Sequence, residues 1–184
     1  MSHDLARALN GLGLFAVSVV LLVAFADQLV LDDLPCPLCI LQRAAFVAVG
    51  AALVLNLRFG PRPSHYGAMI LSGVAGAVVS ARQVLLHIVP GSPGYGPTFV
   101  GLHFYSWAFV AFVAVVAGGA LKLLFDRQFA ADRRAAAASL PVAATAVFVL
   151  AAAVTLANGV STALECGAGL CPDNPTAYEL LGGK

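Results

Sequence analysis

Charge is what this sequence has least of. Only 10% of its 184 residues are charged while 60% are hydrophobic, and the mean hydropathy is +0.91, whereas soluble domains carry about 25% charged residues. That scarcity excludes a soluble globule, and the wealth of apolar residues excludes a disordered chain. Ten basic and nine acidic residues leave a net charge of +1, so no nucleic-acid partner is expected. Four cysteines are too few, in too apolar a chain, to staple a secreted scaffold, and they point to chemistry instead. Neither a G-x-G-x-x-G dinucleotide fingerprint nor a Cys-x-x-Cys-His haem attachment site occurs.

What the chain has is apolar length. Roughly 20 apolar residues cross a hydrocarbon core about 30 Å thick, and five stretches qualify: about 9–31, 38–57, 66–89, 99–124 and 135–157. No strand-like alternation competes with helix over them. The expectation is an all-α integral membrane protein, a five-transmembrane-helix bundle forming a single membrane domain over 1–184, with lipid against its outer faces. A cysteine-containing tail, 158–184, follows the fifth helix. Gly60-Pro61-Arg62-Pro63 and Pro90-Gly91-Ser92-Pro93-Gly94 stop one helix before the next begins. Gly73, Gly76, Gly118 and Gly119 predict close helix packing. The basic start, apolar run and Ala24-Phe25-Ala26 resemble a signal peptide, but the run is long for one and cleavage would leave the remaining topology unchanged.

Short loops rich in Lys and Arg stay in the cytoplasm. Arg7, Arg58, Arg62, Lys122, Arg127, Arg133 and Arg134, seven of the ten basic residues, fall on alternate connections. The opposite side holds Asp32, Asp33, Glu165, Asp173 and Glu179 against Lys184 alone. The amino terminus is therefore expected in the cytoplasm and the carboxyl terminus outside, which in a bacterial cell is the periplasm.

Cys36-Pro37-Leu38-Cys39 lies at the outer mouth of the second helix, and Cys166 and Cys171 follow the fifth. Both pairs thus face a compartment where disulfides persist. Cysteines at i and i+3 at a helix start bring their sulfurs together, and the helix amino terminus favours the thiolate. Pro35 and Pro37 restrict the approach and remove donors that have no partner there. The short, glycine-rich loop between Cys166 and Cys171 suits exchange with another protein. A structural disulfide, or four thiolates around one zinc ion, are the competing readings. No metal is assigned, because no second shell is apparent.

Ionisable groups inside a membrane are costly, so each is a candidate. Arg43 falls one turn after Cys39, on the same face and about 6 Å deeper. Arg82 and then Gln83 lie at a similar depth in the third helix with His87 one turn further out, and His103, close to Tyr105 and Trp107, lies near the start of the fourth at that face. Snorkelling, interhelical hydrogen bonding and an aromatic belt are the plainer roles for these side chains. A thiolate beside a fixed cation, open toward lipid, suits a lipid-soluble two-electron acceptor, and a quinone fits. Arg43, Arg82, Gln83 and His87 are the candidate quinone-binding residues.

Leu34-Pro35-Cys36-Pro37-Leu38-Cys39-Ile40-Leu41-Gln42-Arg43 resembles the DsbB-type bacterial disulfide bond formation proteins, with similarity extending over the first four helices. The resemblance implies an inner-membrane enzyme that takes electrons from a soluble periplasmic thioredoxin-fold oxidase, DsbA-like, and reduces ubiquinone or menaquinone. It implies that Cys39 meets the quinone, that Cys36 exchanges with the second pair, and that Arg43 holds the quinone head. Cys166 and Cys171 would accept electrons from the soluble partner. The departure is that the family's usual second pair lies between the third and fourth helices, where this chain has no cysteine and instead adds a fifth helix. The expected function is a protein-dithiol:quinone oxidoreductase. A non-enzymatic scaffold or transport subunit with a four-cysteine metal site, or a redox protein passing electrons outward, are the alternatives.

Overall fold

The computed structural model describes residues 1–89, 91, 94–129, 142–167 and 169–182. Within them lie five helices long and apolar enough to cross a membrane: α1, His3–Val30; α2, Pro37–Phe59; α3, Pro63–Leu86; α4, Phe104–Leu123; and α5, Val142–Cys166. The chain is thus an all-α, multi-pass membrane protein. Two-residue strands β1, Thr98–Phe99, and β2, Leu102–His103, form a small hairpin before α4.

Local sequence sets the helix starts. The Ser2 side chain accepts the Leu5 N–H at 3.3 Å and begins α1 ahead of the apolar run, so the helix opens at His3 and not near Leu9. Pro37 and Pro63 occupy first turns, where a missing N–H costs nothing. The fourth helix begins at Phe104 and not at Phe99, because the hairpin takes up the preceding residues. Val100 and Gly101, with φ 51° and 79°, supply the two positive φ values of a twist-matched two-residue turn. The fifth helix continues past Ala157 to Cys166, because the polar residues that read as its end in the sequence point inward. Its expected beginning at Ala135 lies outside the described residues, as do Arg133, Arg134, Lys184, Pro90, Ser92, Pro93 and Ala168.

The helices pack in the order α5, α1, α2, α3, α4, and α5 also touches α2. The Phe46 ring of α2 stacks on Phe112 of α4 at 4.0 Å between centroids. α3 approaches through glycine, since a Cβ on Gly76 would run into the Phe112 ring and one on Gly73 would lie 3.0 Å from Val116. Gly119 packs on Met69 and Ile70 in the same way. Gly118 does not share this role among the described residues, since none of them outside its own helix comes within 4 Å of where its Cβ would stand. Leu71, Val78 and Leu156 are exposed on the outer faces while Asn10, Gln28, Gln83 and Asn158 are buried, the arrangement lipid selects for.

Candidate functional site

Cys36 is the residue at the amino-terminal cap of α2, and its sulfur accepts the Cys39 N–H at 3.2 Å. The geometry follows from Cys36-Pro37-Leu38-Cys39, where the cap residue and the fourth position meet after one turn. Cys36 and Cys39 are joined as a disulfide with Cα atoms 5.0 Å apart. Gln83 of α3 reaches across, its Nε2 donating to Cys36 Sγ at 3.4 Å and Cys39 Sγ at 3.5 Å. Its Oε1 accepts from Gln42 Nε2 at 2.6 Å, which fixes the amide's orientation.

One turn deeper, Arg43 is held by three neutral oxygens. Nη1 donates to Gln28 Oε1 at 2.6 Å and to Asn158 Oδ1 at 3.2 Å, and Nη2 to the Ala24 carbonyl at 2.8 Å. Gln28 Nε2 in turn donates to Ser161 Oγ at 2.7 Å and to Tyr178 OH at 2.8 Å. The guanidinium is therefore anchored by α1 and α5, and the tail is tied to it through Tyr178.

Beside these groups lies a cavity of about 310 Å³. Cys39, Gln42, Arg43 and Gln83 supply its polar wall, Asp27 and Asp33 its acidic rim, and Phe46, Phe104, Tyr105 and Trp107 much of its apolar wall. The hairpin closes one side: Trp107 Nε1 donates to the Phe99 carbonyl at 2.8 Å, and Tyr95 OH to the Leu34 carbonyl at 2.6 Å. Burial, with Asp33 and Glu165 nearby, pushes the Tyr95 phenol up to about 12, which keeps it a donor.

Not all the candidate residues meet here. Arg82 is exposed on the outer surface of α3 among Val78, Ala81, Leu85 and Leu86, away from the cavity, because it follows the inward Ser80 and precedes the inward Gln83. His87 packs on Tyr105 at 5.5 Å between centroids and does not line the cavity. Conversely, sequence reasoning passes over Gln28, Asn158 and Ser161. They are polar groups within apolar spans, the signal that singles out Arg43, and they form its shell.

Cys166, the last residue of α5, is buried and bonded to Cys171, with Cα atoms 4.4 Å apart. Gly167, at φ 60°, turns the chain out of the helix, and Leu170 stands 98% exposed. The four sulfurs form two separate disulfides, and among the described residues no group of three or more His, Cys, Asp or Glu side chains is placed to hold a metal.

The family described as "Disulfide bond formation protein DsbB" matches residues 6–94, from α1 to the connection after α3. Disulfide bond formation protein B of Saccharophagus degradans is 33% identical over 134 residues, 53% of this chain and 81% of the relative. Its counterpart from Azoarcus sp. is 34% identical over 130 residues, 51% and 77% respectively. That of Chromobacterium violaceum is 39% identical over 92 residues, 47% and 54%. No solved structure matches.

Proposed function

The chain belongs to the DsbB family of disulfide bond formation proteins, and on that premise we propose that it is a protein-dithiol:quinone oxidoreductase, with Cys36, Cys39, Cys166 and Cys171 as its redox residues. Its general class, a disulfide-forming oxidoreductase of the membrane, is that of the family. The observation that carries the finer reading is the cavity wall on which Cys39, Gln42, Arg43 and Gln83 converge beside an apolar surface. An apolar pocket with a few convergent polar groups suits a flat, lipid-soluble ring.

A quinone bound there supplies an acceptor for two electrons and two protons. Arg43, held from α1 and α5, presents a fixed positive charge to the cavity. Gln83 donates to both sulfurs, so negative charge left on either one after reduction keeps a hydrogen-bond donor. Electrons reach Cys36–Cys39 by thiol–disulfide exchange from Cys166 and Cys171, which are themselves reduced by a soluble thioredoxin-fold dithiol protein. The basic residues Arg7, Arg58, Arg62, Lys122 and Arg127 support a cytoplasmic amino terminus, with both cysteine pairs in the periplasm of an inner membrane.

The test is reduction of ubiquinone and menaquinone by the purified chain in detergent, driven by a reduced thioredoxin-fold protein and followed by ultraviolet absorbance. Turnover that disappears in Cys39→Ser is expected. Turnover that persists in that variant, or is absent with both quinones in the folded wild type, overturns the reading.

A further inference from the structure

One buried acid has no part in the scheme so far. Asn158, Ser161 and Glu165 recur at spacings of three and four and so share one face of α5. Asn158 bonds Arg43, and Ser161 bonds the Gln28 amide that also holds Arg43. Glu165 is the next residue outward on that face, immediately before Cys166. It is 0% exposed, and among the described residues neither carboxyl oxygen has a hydrogen-bond partner.

Arg43 presents the converse situation. Among the described residues its three bonded acceptors are neutral, so the carboxylates there act on its charge through space. The acids that act on it are Asp27 from α1, Asp33 from the α1–α2 connection and Glu165 from α5, and Tyr178 of the tail also acts on it. Tyr95 of the α3–α4 connection feels Asp33 and Glu165 in turn. Asp27 and Asp33 are partly exposed at the cavity rim, where water screens them. Glu165 is fully enclosed, where charge interactions are strongest.

We propose that Glu165 is the proton-holding counterpart of the Cys36–Cys39 pair: when an electron pair passes from Cys166 and Cys171 to that pair, Glu165 takes up one of the released protons. The negative charge facing Arg43 then moves from the Glu165 carboxylate to the Cys39 sulfur. This deepens the relay reading and rests on it. The step balances within the chain. The two tail thiols lose two electrons and two protons and form the Cys166–Cys171 disulfide, and the Cys36–Cys39 bond breaks. One proton makes the Cys36 thiol and the other makes the Glu165 carboxylic acid. Cys39 is left as a thiolate beside the Gln83 amide, one turn from Arg43. Net charge is the same before and after, so no unbalanced charge is created in the span, where it would be most costly.

Redox-difference infrared spectroscopy of the full chain in lipid nanodiscs, reduced with dithiothreitol, tests this. Reduction is expected to raise a protonated-carboxyl C=O band that shifts in deuterium oxide. The band should be lost in Glu165→Gln and kept in Asp27→Asn and Asp33→Asn. No such band, or a band surviving in Glu165→Gln, overturns the proposal. Should Glu165→Gln fail to fold, Glu165→Asp must move the band if Glu165 carries it, and an unmoved band overturns the proposal equally. Dithiothreitol reduces the cysteines whether or not quinone is a substrate. Quinone turnover without a band therefore sinks only the role of Glu165, and a band without turnover sinks only the quinone reading.

Discussion

Each end of the bundle holds a half-buried basic side chain, and the two are housed differently. At one end Lys122 Nζ donates to Asn10 Oδ1 at 3.0 Å and sits 5.6 Å from the Tyr66 ring centroid. Asn10 Nδ2 donates to Tyr66 OH at 3.0 Å, Tyr66 OH to Gln128 Oε1 at 2.9 Å, and Gln128 back to the Lys122 and Phe125 carbonyls. The circuit returns to its start, with no cysteine in it. At the other end Arg43 has an equally complete set of neutral partners, yet it lines a cavity, lies one turn from a disulfide and feels the buried Glu165, whose carboxyl has no partner among the described residues. A costly charge inside a span is therefore not a functional sign by itself. A cavity and a disulfide one turn away are what separate the two ends.

The sharpest break between the ends is a pair of variants. Arg43→Ala should raise the quinone KM by about 10- to 100-fold, the loss expected for a hydrogen bond from a charged group, while Lys122→Met should leave that KM unchanged. Steady-state quinone kinetics decide it, and equal effects would erase the distinction. Tyr66→Phe should do the reverse. It leaves Asn10 Nδ2 and Gln128 Oε1 without their shared hydroxyl and should cost about 1–3 kcal/mol of stability, read as a lower Tm in detergent with turnover per folded molecule retained.

Gln28→Leu falls between these, because it loosens Arg43 without removing it. A rise in quinone KM of about fivefold is expected, on the scale of one net hydrogen bond, and an effect as large as that of Arg43→Ala would make Gln28 a direct ligand. The smallest effect concerns pH. The folded Tyr95 phenol stands at about 12, above the ordinary value of about 10. Its contribution to stability is thus fully present below pH of about 10 and is lost as pH rises through the folded value. Ultraviolet tyrosinate titration should show a last phase that Tyr95→Phe removes, and loss of a different phase would release Tyr95 from its bond to Leu34.

Much of this comparison is legible in the residues, for reasons that also mark the limit. Apolar runs of membrane-spanning length reveal the five helices, since nothing else buries so many Leu, Val and Ala side chains. Cys36, Cys39 and Arg43 declare themselves by helical spacing. Helix ends are misread where polar residues turn inward: Asn158, Ser161 and Glu165 look like a tail in one dimension and form an interior face in three. Arg82 and Gln83 show the same limit, because adjacent residues on a helix point about 100° apart and only the packing of α3 shows which one faces the sulfurs. The hairpin stays hidden because Val100 is a poor residue for a left-handed turn and gives no turn signal.

The shell around Arg43 also orders events in time. Its acceptors come from α1 and α5, and ribosomal synthesis runs from the amino terminus, so Ala24 and Gln28 exist when α2 emerges and Asn158 does not. While the first four helices assemble, the guanidinium is one oxygen short, and α5 supplies it. The docking of α5 against α1 and α2 is thus drawn by the bond that the guanidinium still lacks.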